Sequence, residues 1–311
     1  ERVEGVLTVL TWLWMQPNGR TAYTAEHVNT WAAMVRRHLT MGHKLACVTD
    51  MPEGIDPSIE IIAPPGEFED VSIPTWSEAR AKGLPQCFRR LVMFAPNAAD
   101  IFGERFVSMD LDCVIGDSLD PLFDHEHDFR MYRGTNAARP YNGSMVQMTA
   151  GCRPKVYTEF TQERAAEAGK KFLGSDQAWI SYQLGWGEAD WGPEHGVHWY
   201  GSRLNRKAKD RRVMFFPGHP KPWQIIGGPA EHDRWIVANY RSQIDELQAE
   251  PSRPRGHENP VHRRQGRIAA EGQTGSEQVR GSGSFDGTQK RRVVGHRPFR
   301  GYRGGQQRQQ A

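Results

Sequence analysis

Residues 6–14 are apolar and β-branched with no polar alternation, which predicts a strand buried on both faces at the centre of a parallel sheet. Pro17-Asn18-Gly19 ends it. After Thr24 the period changes. Val28, Trp31, Ala32, Val35 and Leu39 recur at helical spacing and predict an amphipathic helix. Residues 44–50 read as a second strand ending on Asp50, and 60–63 as a short third. Residues 85–94 read as a helix carrying adjacent Arg89 and Arg90. Residues 106–115 read as one buried strand, followed by strands at 128–132 and 141–148. Helices are expected over 155–168 and from Ser175 onward, where Trp179, Ile180 and Leu184 share a face. A late strand at 213–216 and a closing helix at 235–247 complete the body. This order begins an open α/β sheet, and ligands of such sheets collect at the carboxyl ends of the strands. Asp50, the 14–18 loop and the end of the fourth strand all fall there.

Charge divides the chain. Residues 251–311 carry thirteen Lys/Arg against four Asp/Glu, a net of +9, while the whole chain is +3, so residues 1–250 are mildly acidic at −6. Mean hydropathy is −0.68, low for a wholly globular chain. Pro, Gly, Ser, Gln and Arg dominate after residue 250, a composition that predicts disorder. The expected organisation is a body over 1–250 and a basic tail over 251–311. Phe299-Arg300-Gly301-Tyr302-Arg303 in that tail is of the kind that contacts nucleic acid through phosphate charge and stacking. A solubilising tail without a partner is the other reading. The four cysteines are far apart with no Cys-x-x-Cys, which argues against a zinc knuckle. No apolar run is long enough to span a bilayer, and a cytoplasmic protein without a transmembrane segment is the expectation.

The candidate chemistry lies in Ser108-Met109-Asp110-Leu111-Asp112-Cys113. On an extended chain, residues two apart point to one face. Asp110 and Asp112 would then present two hard oxygen ligands together, suited to Mg²⁺ or Mn²⁺ shared with phosphate. The competing reading is that the two aspartates end a strand and cap the next turn. One of Arg89 and Arg90 should face an anionic ligand if the site holds one.

Four stretches in order resemble glycosyltransferases of the GT-A fold, of the glycogenin and bacterial lipopolysaccharide galactosyltransferase type. They are the Asp-x-Asp stretch, Asn142-Gly143-Ser144, Gly174-Ser175-Asp176-Gln177 and Gly218-His219-Pro220-Lys221-Pro222-Trp223. The resemblance covers about residues 5–225. It implies a single α/β GT-A domain with a mixed, mostly parallel sheet, and a metal-dependent, retaining transfer of a hexose or pentose from a nucleoside diphosphate sugar, with UDP the expected nucleotide. Asp110 and Asp112 would hold Mn²⁺ or Mg²⁺ on the diphosphate. Lys221 would add a charge on the same phosphates, and Arg90 would lie near the phosphate or the donor sugar. Asp50, together with Tyr23 or Trp14, would hold the nucleobase. Asn142, Asp176 and Gln177 would bind the sugar, with Asp176 or Gln177 stabilising the reacting centre. No motif identifies the acceptor; a saccharide, a protein and a modified DNA base all remain open.

The chain departs from the family at one position. Where glycogenin-type proteins place a metal-binding His three residues before the loop glycine, Phe215 stands here, and His219 is the candidate substitute. Two other readings compete. Nucleotidyl transfer would need a glycine-rich phosphate loop after the first strand, which Gln16-Pro17-Asn18-Gly19 does not supply. A nucleic-acid-binding protein with an inactive α/β body would use the basic tail instead.

Overall fold

The computed structural model describes residues 6–15, 21–71, 73, 87–135, 138–172, 174–201, 208–226 and 234–241. The loop at 16–19, the body–tail boundary at 250 and the basic tail lie outside the described residues. Seven strands form one sheet: β1 (Leu7–Leu13), β2 (His43–Thr49), β3 (Glu60–Ile62), β4 (Arg105–Met109), β6 (Phe129–Arg133), β7 (Tyr141–Thr149) and β8 (Asp190–Trp191). Their spatial order is β3-β2-β1-β4-β7-β6-β8. The ladders β3–β2, β2–β1, β1–β4 and β6–β8 are parallel, while β7 runs antiparallel to both its neighbours. The sheet is therefore mixed and mostly parallel, as expected.

Both faces of this sheet are covered, which is why β1 reads as continuously apolar. Leu7, Val9 and Leu13 join a core with Val28, Trp31 and Val35 of the helix α1 (Ala25–His38). Leu10 and Trp12 point the other way, into a core with Phe94, Phe106 and Trp179. Burying a side chain such as Phe106 stabilises the fold by roughly 1.5–3 kcal/mol. Helix α1 has the apolar face that the spacing predicted, and Arg36, Arg37 and His38 in its last turn complement the helix dipole. Cys47 and Cys113 are buried core residues, and all four cysteines are free. No described helix is long and apolar enough to cross a membrane.

Three expectations need correction. Residues 106–115 are two strands. β4 ends at Met109, the chain bends through Asp110–Asp112, and β5 (Cys113–Ile115) joins a second, three-stranded sheet with β10 (Val213–Phe215) and β9 (Val197–Trp199). Apolar residues on either side of the aspartates conceal the change of sheet, since Val107 and Met109 of β4 share one core with Cys113, Val114 and Ile115 of β5. The expected helix at 85–94 is a 3-10 turn over Phe88–Phe94. The expected helix at 155–168 is two, Lys155–Thr158 and Gln162–Lys171. Thr161 starts the second by accepting a bond from the Arg164 N–H at 3.2 Å.

The three-stranded sheet positions the second aspartate. Phe215 pairs with Cys113 across antiparallel β10 and β5, and the Phe216 N–H donates to the Asp112 carbonyl at 2.8 Å. The Phe215 ring is buried and packs against Tyr132 at 5.3 Å. The position beside Asp112 is Phe216, and the next, beside Cys113, is Phe215; both are buried apolar rings.

Candidate active site

Trp14, Asp50 and Asp110 follow directly on β1, β2 and β4, at the carboxyl ends of three parallel strands. Antiparallel β7 begins at the same end, so Asn142-Gly143-Ser144 face the Asp110 bend. Here β7 is irregular. Met131 of β6 pairs with Val146, while the next residue, Tyr132, pairs with Asn142. This irregularity releases Gly143 from the β6 ladder and turns its peptide groups toward the site, as bulges beside active sites do. The Asp110 N–H donates to the Ser144 carbonyl at 2.9 Å, and the Ser144 N–H donates to Asn142 Oδ1 at 2.9 Å.

Arg90 is the centre of one half of the site. Its Nη1 donates to Asp110 Oδ1 at 2.6 Å and to the Gly143 carbonyl at 3.1 Å. Its Nε and Nη2 both reach Asp176 Oδ2, at 2.9 and 2.6 Å. Of the two adjacent arginines it is Arg90 that turns inward; Arg89 pairs with Glu69 and lies 3.8 Å from Asp50. Burial opposes the charge on Arg90, but Asp176 and Asp110 outweigh it and hold the guanidinium above its ordinary pKa. Glycine is required at 143 because a Cβ there would lie 2.6 Å from Arg90 Nη2.

Asp176 opens the helix Asp176–Leu184 and is 2 % exposed. Ser175 Oγ donates to its other oxygen at 3.1 Å and accepts from the Cys87 N–H at 3.0 Å. Both Asp176 oxygens are thus engaged. Gln177 Oε1 accepts from the Gly143 N–H at 3.2 Å. The expected set Arg90, Asp110, Asn142, Asp176 and Gln177 is therefore brought together, with the Gly143 backbone as the common contact of Arg90 and Gln177.

Lys221 is the centre of the other half. It is 5 % exposed; its Nζ pairs with Asp112 Oδ2 and donates to the Phe216 carbonyl at 2.7 Å. Tyr23 donates its hydroxyl to the same Asp112 oxygen at 3.0 Å. Burial, then the negative charges of Asp112 and Asp110, push the Tyr23 pKa up, so this phenol stays a donor. Burial also raises the pKa of Asp112, against the pull of Lys221. Sequence reasoning put Tyr23 with the nucleobase; its hydroxyl is in the carboxylate cluster, and its ring meets Trp223 at 5.8 Å. No spacing rule could have given that contact, since Tyr23 and Asp112 are 89 residues apart.

The remaining expected residues sit at the rim. Asp50 is exposed and accepts from the Met15 N–H at 3.1 Å. Trp14 is half-buried, edge-on to Trp12 at 6.1 Å. His219 is exposed, and its Nδ1 lies 3.2 Å from Gln224 Oε1. Among the described residues no group of three or more His, Cys, Asp or Glu could hold a metal ion. His219 therefore does not converge with Asp110 and Asp112, because Gln224 in the helix Pro222–Ile226 holds it at the outer end of its loop. Two carboxylates are the hard oxygen donors available here, a set that would suit Mg²⁺ or Mn²⁺ only with further oxygens from a ligand or water. Asp110, with its side chain 30 % exposed, is the more open carboxylate; Asp112, at 11 %, is the deeper one.

No protein-family model matches the chain, and no curated protein matches it. Among solved structures it is similar to the galactosyltransferase LgtC in complex with donor and acceptor sugar analogs, at TM-score 0.45 and 11 % identity, covering 78 % of this chain and 99 % of that one. It is similar to the glycosyltransferase GlyE of Streptococcus pneumoniae TIGR4 at TM-score 0.43 and 11 % identity, covering 70 % and 55 %. The apo bifunctional glycosyltransferase WbbM gives TM-score 0.44 and 11 % identity, covering 79 % and 52 %. The chain thus matches about half the length of GlyE and of WbbM.

Proposed function

We propose that this chain is a glycosyltransferase of the GT-A fold. It moves a hexose or pentose from a nucleoside diphosphate sugar, with UDP the expected nucleotide, to an acceptor, and retains the anomeric configuration. The observation that carries the reading is the pairing of two bent-out carboxylates with two buried cations at the carboxyl ends of parallel strands. Alternating charges in one buried cluster suit a ligand that is itself an anion attached to a neutral polyol.

In this reading Asp110 and Asp112 hold Mg²⁺ or Mn²⁺. Such a cation offsets the charge that the diphosphate gains as its bond to the sugar breaks. The chain's own groups do the rest. Lys221 donates to the diphosphate oxygens as a point charge. Arg90 fixes Asp110 and Asp176 in one frame, so the diphosphate and the sugar are held in register. Asn142 and Gln177 orient the sugar by hydrogen bonds. The Gly143 N–H fixes the Gln177 carbonyl, which leaves its NH₂ to serve a sugar oxygen. Asp176 has both oxygens occupied and is almost fully buried, which suits a positioning group better than a nucleophile. Trp14 and Asp50, at the ends of β1 and β2, would hold the base. An acceptor hydroxyl forms the new bond to the anomeric carbon as the bond to the diphosphate breaks, and the hydroxyl proton passes to the departing diphosphate oxygen.

The test is calorimetric titration of UDP with and without Mn²⁺, followed by a screen of UDP sugars for donor hydrolysis. Binding that requires Mn²⁺, and that disappears in Asp110→Asn and Asp112→Asn, is the expected outcome. UDP binding of equal strength without a divalent cation would remove the basis of the proposal.

A further inference from the structure

We infer that Lys221 is a resident counter-ion of Asp112 that makes the divalent cation and the donor diphosphate bind as a coupled pair, so that neither Mn²⁺ nor the diphosphate alone binds well. This deepens the function proposed above and rests on it for the identity of the diphosphate.

Asp112 Oδ2 lies at the centre of the Lys221 half. That oxygen already serves two donors, the Lys221 ammonium and the Tyr23 hydroxyl. A cation on the Asp112 carboxylate competes with Lys221 for its charge. Lys221 is 5 % exposed, and the other partner of its ammonium among the described residues is the Phe216 carbonyl. The ammonium would then stand beside a dication in a buried site, where like charges repel strongly.

The charge balance gives the same result. Asp110, Asp112 and Asp176 against Arg90 and Lys221 leave the cluster with one net negative charge. A divalent cation alone reverses that sign. The two negative charges of a diphosphate ester restore it and give the ammonium a new partner. Lys221 can make this exchange because an ammonium is a point charge on a flexible stem. Its backbone stays in place, since its N–H donates to Gln224 Oε1 at 2.8 Å. Phe216, whose N–H holds the Asp112 carbonyl, and Phe215, paired with Cys113, are both buried apolar residues, and among the described residues no third His, Cys, Asp or Glu joins the two aspartates to help the cation against Lys221.

The experiment is Mn²⁺ binding to the full chain, followed by the electron paramagnetic resonance of free Mn²⁺, with Mn²⁺ alone and with UDP present. In the native chain UDP should tighten Mn²⁺ binding by about 100-fold, within the usual range of coupling between two ligands. In Lys221→Met, Mn²⁺ alone should bind at least about ten-fold tighter than to the native chain, and the effect of UDP should fall below about ten-fold. Lys221→Gln, which keeps a donor for the Phe216 carbonyl, repeats the test if the methionine variant does not fold. Adding Asp112→Asn to either variant should erase the gain. If neutral residues at 221 leave Mn²⁺ binding unchanged or weaker, the inference is overturned. The Mn²⁺-alone arm uses no nucleotide, so an absent UDP effect in the native chain counts against the proposed glycosyltransferase while that arm still decides the role of Lys221.

Discussion

The two halves of the site hold their carboxylates in different ways. Around Arg90, one planar guanidinium reaches two aspartates and a backbone carbonyl through four bonds of 2.6 to 3.1 Å. Around Lys221, one ammonium and one phenol share a single carboxylate oxygen. Arginine's fixed fork suits a permanent brace, and lysine's point charge suits a partner that can be exchanged. The Arg90 half therefore has the geometry of a frame, and the Lys221 half is the one we propose to respond to ligand.

That contrast breaks most severely at Arg90. Arg90→Met leaves two aspartates near each other without their cation, and breaking a buried ion pair from one side costs about 3–5 kcal/mol. Urea unfolding should show the loss directly. Arg90→Lys should recover half of it at most, because one ammonium cannot reach Asp110, Asp176 and the Gly143 carbonyl at once; full recovery would mean that the fork geometry is irrelevant. Gly143→Ala comes next. The new Cβ drives Arg90 Nη2 away from Asp176, at a cost of about 1–3 kcal/mol as for other overpacked sites. UDP sugar turnover should fall in that variant more than the binding of UDP itself, since the displaced groups lie on the sugar side. Tyr23→Phe is the smallest. Asp112 keeps Lys221 but loses one hydrogen bond to a charged group, worth about 1.5 kcal/mol in unfolding experiments. A Tyr23→Phe loss as large as that of Arg90→Met would invalidate the division into a frame and a responsive half.

Much of this was legible in the chain. The both-sided apolar run of β1 and the helical spacing of α1 gave the sheet its centre and one of its covers. The pair Asp110 and Asp112, the inward arginine, and Asp176 with Gln177 were all legible as residues of one site. What stayed hidden depended on tertiary contacts. The division of 106–115 between two sheets is marked only by the two aspartates, one reading of which is a strand end; that the apolar stretch after them enters another sheet is not legible locally. The Gly143 irregularity did leave a mark: a glycine inside a strand pattern signals a bulge or a close backbone approach. The second helix start at Thr161 also had its signal, a threonine placed to cap. Tyr23 on Asp112 and Lys221 on Asp112 join residues 89 and 109 apart, beyond the reach of any local pattern.

The bend between Met109 and Cys113 carries one more consequence. Asp110 hangs from the end of the large sheet, and Asp112 is pinned by its carbonyl to the small one. The two carboxylates are the jaws of a calliper whose opening is set by how the sheets are docked. A ligand held by both carboxylates would therefore also clasp two layers of the protein across a single intervening residue, Leu111.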